Sequence, residues 1–252
     1  MATLPLTFGT AGRLHSRVTA QLARRVIESD RGGKIIAFPR EAELCEELGV
    51  SRSILRESMK VLVDKGMVEM KPRAGTKSRP REGWNRLDAD ILNWQAALGP
   101  DAQFVRELCE VRLAIEPTAA GFAAVRATEE ELRRIEECLE RRRAAASEAD
   151  ARAQIELDMA LQCAVVQASH NGLLRHMCAS IREPFRAALT MTVKLPATVT
   201  LGLEAHEVLL DCLKRRDPMG ARRAAEEVVG LAMLAVESGL RRQPKAGRKE
   251  QR

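Results

Sequence analysis

Two arginines four residues apart stand near the start of a predicted helix, in the stretch SRSILRESMK that begins at Ser51. Serine is a favoured helix cap, so Arg52 takes the first helical position and Arg56 follows one turn later on the same face. Positive charge at a helix N-terminus opposes the helix dipole, and Arg52 is therefore expected to meet an external anion or a base edge. A guanidinium group binds guanine or phosphate through two parallel hydrogen bonds. This spacing predicts nucleic-acid recognition.

The helices and the strand expected on either side of these arginines lie within residues 38–76. Pro39 can open a first helix and Gly49 ends it, while the arginine-bearing helix ends at Gly66. A short alternating segment and a basic turn follow, which is typical of a strand and a wing tip. The whole segment therefore predicts a winged helix-turn-helix, which lays its second helix in a DNA groove.

Two further elements are predicted before this segment. Apolar residues recur every four positions from residue 14 to residue 29, which indicates another helix before the helix-turn-helix. Ile35 and Ile36 are expected to add a short strand to the wing.

The net charge of +6 is unevenly distributed along the 252 residues. Residues 1–80 hold 15 Lys or Arg against 9 Asp or Glu, and residues 241–252 hold 6 against 1. The 160 residues between them hold 20 against 25, so the middle of the chain is acidic. A basic N-terminal domain joined to an acidic one favours a DNA-binding module followed by a domain that does not bind DNA.

The composition, with 45% hydrophobic and 30% charged residues, is that of a folded protein with room for two modest domains. The apolar runs are shorter than a membrane span requires, and the N-terminus lacks the pattern of a secretion signal. Six scattered cysteines without a CxxC pair are expected to be reduced thiols. We therefore expect a cytoplasmic protein that does not contact a membrane.

Residues 88–240 are compatible with helix throughout, broken mainly by prolines and glycines. Helices are predicted near residues 88–97, 101–115, 117–126, 128–147, 150–169, 172–193, 199–215 and 218–240. Amphipathic helices with short connections predict an antiparallel bundle, so the fold class is mostly α, with an N-terminal winged helix-turn-helix and a C-terminal antiparallel all-helical bundle. The predicted domains are a DNA-binding domain at 1–80, a linker at 81–87, an effector-binding and dimerisation domain at 88–240, and a basic disordered tail at 241–252.

The motifs resemble those of a known family. The Pro-x-Glu pair at Pro39 and Glu41, the run VSRSILRESMKVLVDKGMVE and the wing sequence RAGT resemble the GntR family of bacterial transcription regulators. The helical continuation, with EVRLAIEP at residues 110–117, resembles the subgroup whose effector domain is the FadR-type C-terminal bundle, the FCD domain. This resemblance implies a homodimer that binds a palindromic double-stranded DNA operator, and repression released by a ligand.

On the DNA side, the resemblance implies contacts from the recognition helix, its cap, the first helix and the wing. The expected DNA-binding residues are Arg40, Ser51, Arg52, Ser53, Arg56, Arg73 and Gly75. Gly75 matches a wing glycine that lets the backbone approach the minor groove. Ala42 stands where many relatives have an arginine, so the operator preference is expected to differ.

In the helical domain, the resemblance implies a metal held by an aspartate and three histidines. Asp158 and His206 match two of these positions, but Gln162 and Val228 occupy the other two. A glutamine carbonyl is a weak ligand and valine is none, so Asp158, Gln162 and His206 form a degenerate site. We expect no cofactor and no metal, and direct binding of an effector.

The resemblance implies that the effector is a small carboxylate. A sugar acid such as galactonate or gluconate is expected first, because several polar side chains lie in otherwise apolar helices. The candidate effector-binding residues are Arg112, Asp158, Gln162, Asn171, Arg175, Ser180, Arg182 and His206. For Arg112, an intrahelical pair with Glu116 is the competing interpretation.

Two alternatives remain open from the sequence. The same DNA module could respond to another small carboxylate or to a metal ion. An enzyme that uses Asp158 and His206 as acid and base is the more distant alternative, since the chain has no recognised catalytic motif. We therefore predict a regulator rather than an enzyme.

Overall fold

The computed structural model describes residues 10–71, 75–99, 101–145, 151–190 and 196–242. The chain divides into two compact units, residues 1–98 and 99–252. None of the described helices is both long enough and apolar enough to cross a membrane.

The first unit contains four α-helices and a small wing. Its elements are α1 (Thr10–Arg31), α2 (Glu41–Leu48), α3 (Arg52–Asp64), β1 (Val68–Lys71), β2 (Gly75–Ser78), a 3-10 turn (Arg81–Gly83) and α4 (Ala89–Ala97). Helix α2 ends at Gly49, whose φ of 63° is the left-handed conformation that glycine adopts readily. Ser51 then caps α3, so the predicted helix-turn-helix is present.

The wing is a two-stranded antiparallel sheet with a partial third segment. Val68 pairs with Ser78 and Lys71 pairs with Gly75. The predicted strand at Ile35 and Ile36 is reduced to one bridge between Ala37 and Lys77. Only Ile36 and its two successors reach the sheet edge, because the preceding residues are held in the turn that ends α1, where Lys34 N donates to Ser29 O at 3.0 Å.

The domain boundary lies later than the sequence predicted. The segment 81–87 was expected to be a linker, but Trp84 and Ile91 are buried in the core formed by α1 and α3. Polar side chains fix this segment in place. Arg81 Nε donates to Asp30 Oδ2 at 2.7 Å, and Lys65 Nζ donates to Asp88 Oδ1 at 2.6 Å. Residues 81–98 therefore belong to the first unit.

The second unit is a bundle of six described helices. These are α5 (Ala102–Arg126), α6 (Glu129–Ala145), α7 (Ala151–Ala168), α8 (Gly172–Thr190), α9 (Pro196–Lys214) and α10 (Pro218–Arg242). Helix α5 packs against α10, α7, α8 and α9, and α6 packs against α7 and α9. Helix α5 is thus the central element of the bundle.

Helix α5 continues through Pro117, where the sequence predicted a break between two helices. Proline removes one intrahelical hydrogen bond, which favours a helix end when the segment is exposed. Pro117 is buried, and so are Ile115, Ala119 and Ala120 around it. Burial of both halves of α5 in one core offsets the lost hydrogen bond.

Small residues let α5 and α10 pack closely. Ala120, Ala124, Ala221 and Ala225 are buried together in the largest hydrophobic cluster of the described residues. A Cβ at Gly121 would lie 2.6 Å from Arg222 Nε. The alanine-rich sequence of these helices therefore sets a short distance between their axes. Of the predicted basic tail, residues 243–252 lie outside the described residues.

Gly66, which ends α3, provides a test of the first unit. Its φ is +74°, and an added Cβ would lie 2.3 Å from the carbonyl oxygen of Gly83. We expect Gly66→Ala to lower the free energy of unfolding by about 2–5 kcal/mol, from backbone strain and overpacking together. Both tryptophans, Trp84 and Trp94, lie in this unit, so urea unfolding followed by tryptophan fluorescence measures its stability.

Gly33→Ala is the matched control for this substitution. Gly33 has a φ of +65°, but no described atom lies within 4 Å of an added Cβ. Gly33→Ala is expected to lower the free energy of unfolding only by the backbone strain, about 1–2 kcal/mol. Equal losses for the two variants would contradict the close approach at Gly83.

Candidate nucleic-acid interface and effector cavity

Helix α3 presents a line of cations on the side opposite its buried face. Leu55, Met59 and Leu62 pack into the core of the first unit. Arg52, Arg56 and Lys60, spaced by one turn, are exposed. The amphipathic sequence therefore forces these three side chains outward once its apolar face is buried.

The start of α3 is fixed by its cap. Ser51 Oγ accepts a hydrogen bond from Ile54 N at 3.4 Å, and it lies 3.0 Å from Ser53 Oγ. Arg52 is the first helical residue and is exposed, as predicted for contact with an external anion. Unpaired backbone N–H groups and an arginine at one helix end together form a favourable place for a phosphate or a base edge.

Arg56 is paired with a carboxylate of α2. Its Nε lies 3.0 and 3.1 Å from the two carboxylate oxygens of Glu41, the acid of the Pro-x-Glu motif. The side chains are 68% and 37% exposed, so the pair contributes less than about 1 kcal/mol to stability. Arg56 is therefore oriented toward solvent beside α2, and a phosphate can replace Glu41 as its partner at a small energetic cost.

The remaining predicted DNA-binding residues lie on the flanks of α3. Arg40 is exposed at the start of α2 and makes no side-chain cap. Gly75 opens β2 with a φ of +82°, and no described atom lies within 4 Å of an added Cβ there. Arg73 lies outside the described residues.

Among the described residues of the helical bundle, two small cavities share one wall. The first, of about 20 Å³, is lined by Glu116, Gln162, Val165, Val166, His206, Leu209, Ala225 and Val228. The second, of about 30 Å³, is lined by Arg112, Glu116, Met159, Gln162, Cys163, Val166, Cys178, Ile181, Arg182 and Phe185. Glu116, Gln162 and Val166 separate them. Each cavity has room for about one water molecule, so a larger ligand must move this wall.

Arg112 is the principal cation of the second cavity. It is only 1% exposed, and its guanidinium lies 3.5 Å from the centre of the Phe185 ring. Its Nε and Nη2 donate to the two carboxylate oxygens of Glu116 at 2.6 and 3.0 Å. Its Nη1 is buried and has no hydrogen-bond partner among the described residues. The intrahelical pair with Glu116 is therefore present, and Arg112 still has one donor free within the cavity region.

Asp158, Gln162 and His206 do come together, with an arginine between them. Gln162 Nε2 donates to Asp158 Oδ2 at 3.2 Å. Arg142 Nη2 lies 3.0 Å from Asp158 Oδ1, and its Nη1 lies 3.0 Å from His206 Nδ1. Val228 lines the same cavity as Gln162 and His206. In the part of the chain that the structure describes, no three His, Cys, Asp or Glu side chains form a metal-binding group.

His206 is buried and neutral. Burial is the main cause that lowers its pKa, to about 4, and the charge of Arg142 acts in the same direction while Asp158 opposes both. Its Nδ1 is also 2.5 Å from the carbonyl oxygen of Gly202. A nitrogen and a carbonyl oxygen approach this closely only with a proton between them, so Nδ1–H donates to Gly202 and Arg142 Nη1 rests against the ring edge.

Four predicted effector residues do not line either cavity: Asp158, which is paired with Arg142, and Asn171, Arg175 and Ser180. Asn171 Oδ1 caps α8 by accepting from Leu173 N and Leu174 N at 3.1 and 3.2 Å. Ser180 Oγ donates to the backbone carbonyl of His176, and Arg175 is exposed. The polar side chains of the last three serve helix ends and solvent, which the sequence pattern could not distinguish from cavity donors. Arg182 does line the second cavity.

Three residues of the site were not predicted from the sequence as site residues. Arg142 lies in the run LERRRAA, which is indistinguishable by composition from a solvated charged face. No sequence pattern singles out Phe185, and Glu116 was predicted only as a partner of Arg112. The i, i+4 spacing signals the Arg112–Glu116 pair, but nothing local signals a contact between α6 and α7.

The neutral state of His206 leads to a prediction of pH dependence. An unfolded histidine takes up a proton near its ordinary pKa of 6.5, whereas folded His206 does so only near 4. Protonation therefore favours the unfolded state between these values, and stability falls as pH is lowered from about 6.5 to about 4. At about 1.4 kcal/mol per pKa unit, the contribution is on the order of 3 kcal/mol.

The measurement compares the wild type with His206→Gln by urea unfolding followed by far-UV circular dichroism from pH 8 to 4. Because both tryptophans lie in the first unit, tryptophan fluorescence separates the unfolding of that unit. The stability difference between the two proteins is expected to be constant above about pH 7.5 and to shift in favour of the variant below pH 6.5. A difference that is independent of pH would contradict a neutral buried His206.

Comparisons with known proteins identify both units. Residues 15–77 match the bacterial regulatory proteins, gntR family, and residues 107–230 match the FCD domain. The chain is 34% identical to the galactonate operon transcriptional repressor of Escherichia coli over 217 residues, which cover 83% of this chain and 90% of that protein. It is 30% identical to the Uxu operon transcriptional regulator of Escherichia coli, over 73% of this chain and 65% of that protein.

A solved structure agrees with the fold. The structure of Lar, which controls the expression of the Listeria monocytogenes agr system, matches with a TM-score of 0.57 over 92% of this chain and 99% of that chain, at 16% identity. The family resemblance predicted from the recognition helix, the wing and EVRLAIEP is thus confirmed. The chain belongs to the gntR family of bacterial transcription regulators, and its helical domain is an FCD domain.

Proposed function

We propose that this protein is a homodimeric repressor whose operator affinity is lowered by a small carboxylate, most specifically a sugar acid such as galactonate or gluconate. Membership of the family supports a regulatory role and DNA binding. One observation supports an anionic ligand: Nη1 of the buried Arg112 has no hydrogen-bond partner among the described residues. A carboxylate oxygen at this donor satisfies a buried charge-assisted hydrogen bond that is otherwise unmade.

The surroundings of Arg112 favour a hydroxylated carboxylate over a fatty acyl chain. Arg182 and Gln162 line the same cavity, and Glu116 can accept hydrogen bonds from hydroxyl groups. The similarity to the galactonate operon transcriptional repressor supports the same class of ligand. Isostructural ligands that lack the hydroxyl groups would leave these polar side chains unpaired, which is the basis of selectivity.

The small cavities indicate how binding is coupled to a change in the protein. A sugar acid does not fit into about 20 or 30 Å³, so the wall of Glu116, Gln162 and Val166 must move when it binds. These residues belong to α5 and α7, and α5 contacts four other helices of the bundle. The ligand therefore selects a different packing of the bundle. A typical coupling of about 1–3 kcal/mol is sufficient to release an operator.

On DNA, each protomer places one α3 against a half-site, so a two-fold symmetric dimer binds a palindrome. Arg52 is the residue proposed to bind a base edge, and Arg56 is proposed to exchange Glu41 for a phosphate. An enzymatic role for Asp158 and His206 is not favoured, because Asp158 is paired with Arg142 and His206 directs its Nδ1–H to Gly202.

The DNA-binding proposal is tested with Arg52→Ala. Loss of one bidentate contact of about 1–3 kcal/mol is expected to weaken operator binding about 5- to 150-fold. The measurement is fluorescence anisotropy with DNA from upstream of the chain's own gene, at one fixed salt concentration. Arg133→Ala, at an exposed position of α6 in the bundle, is the control and should bind the DNA as the wild type does. Unchanged operator binding by Arg52→Ala would show that another segment reads the DNA.

The effector proposal is tested by calorimetric titration with a panel of aldonates, with and without chelator. We expect one aldonate to bind and to lower operator affinity, and the chelator to have no effect. Arg112→Met should weaken that binding about 10- to 100-fold, because a hydrogen bond to a charged group contributes about 1.5–3 kcal/mol.

Arg175→Met is the control for this titration, since Arg175 is an exposed arginine of the bundle that lines neither cavity. It should bind the aldonate with wild-type affinity. Absence of heat from every aldonate would argue for another small carboxylate, and a response abolished by chelator would argue for the metal alternative.

A further inference from the structure

Arg142 is a buried cation that meets both groups of the degenerate metal site. Its side chain is 10% exposed, and it extends from α6 toward α7 and α9. One terminal nitrogen lies 3.0 Å from Asp158 Oδ1, and the other lies 3.0 Å from His206 Nδ1. The guanidinium thus lies between a carboxylate and an imidazole, the two kinds of group that a transition metal would bind.

Helix α9 is shaped to admit this guanidinium. Gly202 is buried one turn before His206, and a Cβ at this position would lie 3.1 Å from Arg142 Nη2. A larger side chain would press on the arginine. The absent side chain and the ion pair with Asp158 are independent features, and both make room for a cation at the same place.

The residues present do not fit a metal. Gln162 uses its amide nitrogen to donate to Asp158, and Val228 has no atom that can bind a metal. Asp158 is already paired with a permanent positive charge. A divalent ion at the same carboxylate would be repelled by Arg142, because like charges a few ångströms apart in a protein interior interact strongly.

We propose that Arg142 is the resident cation of the degenerate site formed by Asp158, Gln162 and His206, and that its guanidinium takes the place of a metal ion beside Asp158. The inference deepens the proposed function and rests on it for the role of the cavity as the effector site. Arg142 is a positioning residue: it does not line either cavity, and it holds Asp158 and His206 from behind. Since arginine stays protonated and is covalently attached, the site has its cation at all times, regardless of the metal supply.

The consequence is a division of work between two buried arginines. Arg112 lines the second cavity and its Nη1 has no partner among the described residues, whereas both terminal nitrogens of Arg142 contact other protein side chains. In this proposal Arg112 binds the ligand, and Arg142 replaces the metal ion that would otherwise hold the site together.

The test introduces the two missing metal ligands into the protein and compares variants that keep Arg142 with variants that lack it. Gln162→His with Val228→His supplies the two absent imidazoles, and the triple variant adds Arg142→Met, which keeps much of the side-chain volume. Cobalt(II) is titrated into each protein, and its visible absorption and elemental analysis measure affinity and stoichiometry. We expect the triple variant to bind one cobalt per chain more than about 100-fold more tightly than the double variant, because it lacks the opposing charge.

Equal cobalt affinity of the double and triple variants would overturn the proposal, since Arg142 would then not compete with a metal. Far-UV circular dichroism establishes that each variant is folded. If the triple variant does not fold, the wild type decides: dialysed against cobalt or zinc, it should retain no stoichiometric metal. One metal per chain that is lost in Asp158→Asn would overturn the proposal.

These measurements involve neither DNA nor an aldonate. A failure of the cobalt experiment would therefore leave the proposed function standing. Conversely, absence of aldonate binding would leave the outcome of the cobalt experiment interpretable.

Discussion

A buried guanidinium group requires a carboxylate beside it, and this constraint organises both units of the protein. Removing a charge from water is expensive, so an arginine in a core persists only when it is paired and hydrogen-bonded. Arg81 is paired with Asp30 in the first unit, and Arg112 with Glu116 and Arg142 with Asp158 in the second. The pairs Arg81–Asp30 and Arg142–Asp158 each join segments that are distant in the chain, whereas Arg112 and Glu116 lie one turn apart on α5.

In the first unit this constraint extends the DNA-binding domain. The pair between Arg81 and Asp30 ties the chain after the wing back to the end of α1, and Lys65 holds Asp88 at the start of α4. Trp84 and Ile91 can then be buried against α1 and α3. The recognition helix is thereby supported from both ends, by Ser51 at its start and by the segment after the wing at its finish. Its cations can point outward without weakening the core.

In the bundle, the need to pair buried arginines is met differently at Arg112 and at Arg142. Glu116 accepts from Nε and Nη2 of Arg112 and leaves Nη1 without a partner among the described residues, which suits the proposed anion site. Arg142 is paired with Asp158, so this carboxylate is satisfied without a metal. Such pairs contribute little net stability compared with an apolar core, so their value lies in fixing geometry. Hydrophobic packing of the alanine-rich α5 and α10 supplies the stability instead.

Features that depend on local patterns can be predicted from the sequence. Ser51, Gly49 and the apolar repeat of α3 define the helix-turn-helix, because caps, turns and amphipathic faces are encoded within a few residues. The same holds for the exposure of Arg52 and for the i, i+4 pair of Arg112 and Glu116. The motifs around them were sufficient for the family, and the absence of two metal ligands could be read directly.

Contacts between residues that are far apart in the chain depend on the tertiary structure. Pro117 predicts a helix end on local grounds, but burial of α5 on both sides of it keeps one helix. The segment 81–87 is polar enough for a linker, yet Arg81 and Trp84 find partners on α1 and in its core. Arg142 reads as one of three surface arginines until α6 packs against α7 and brings it to Asp158. Burial of a charge is a property of the packed fold, since it depends on a partner far away in the chain.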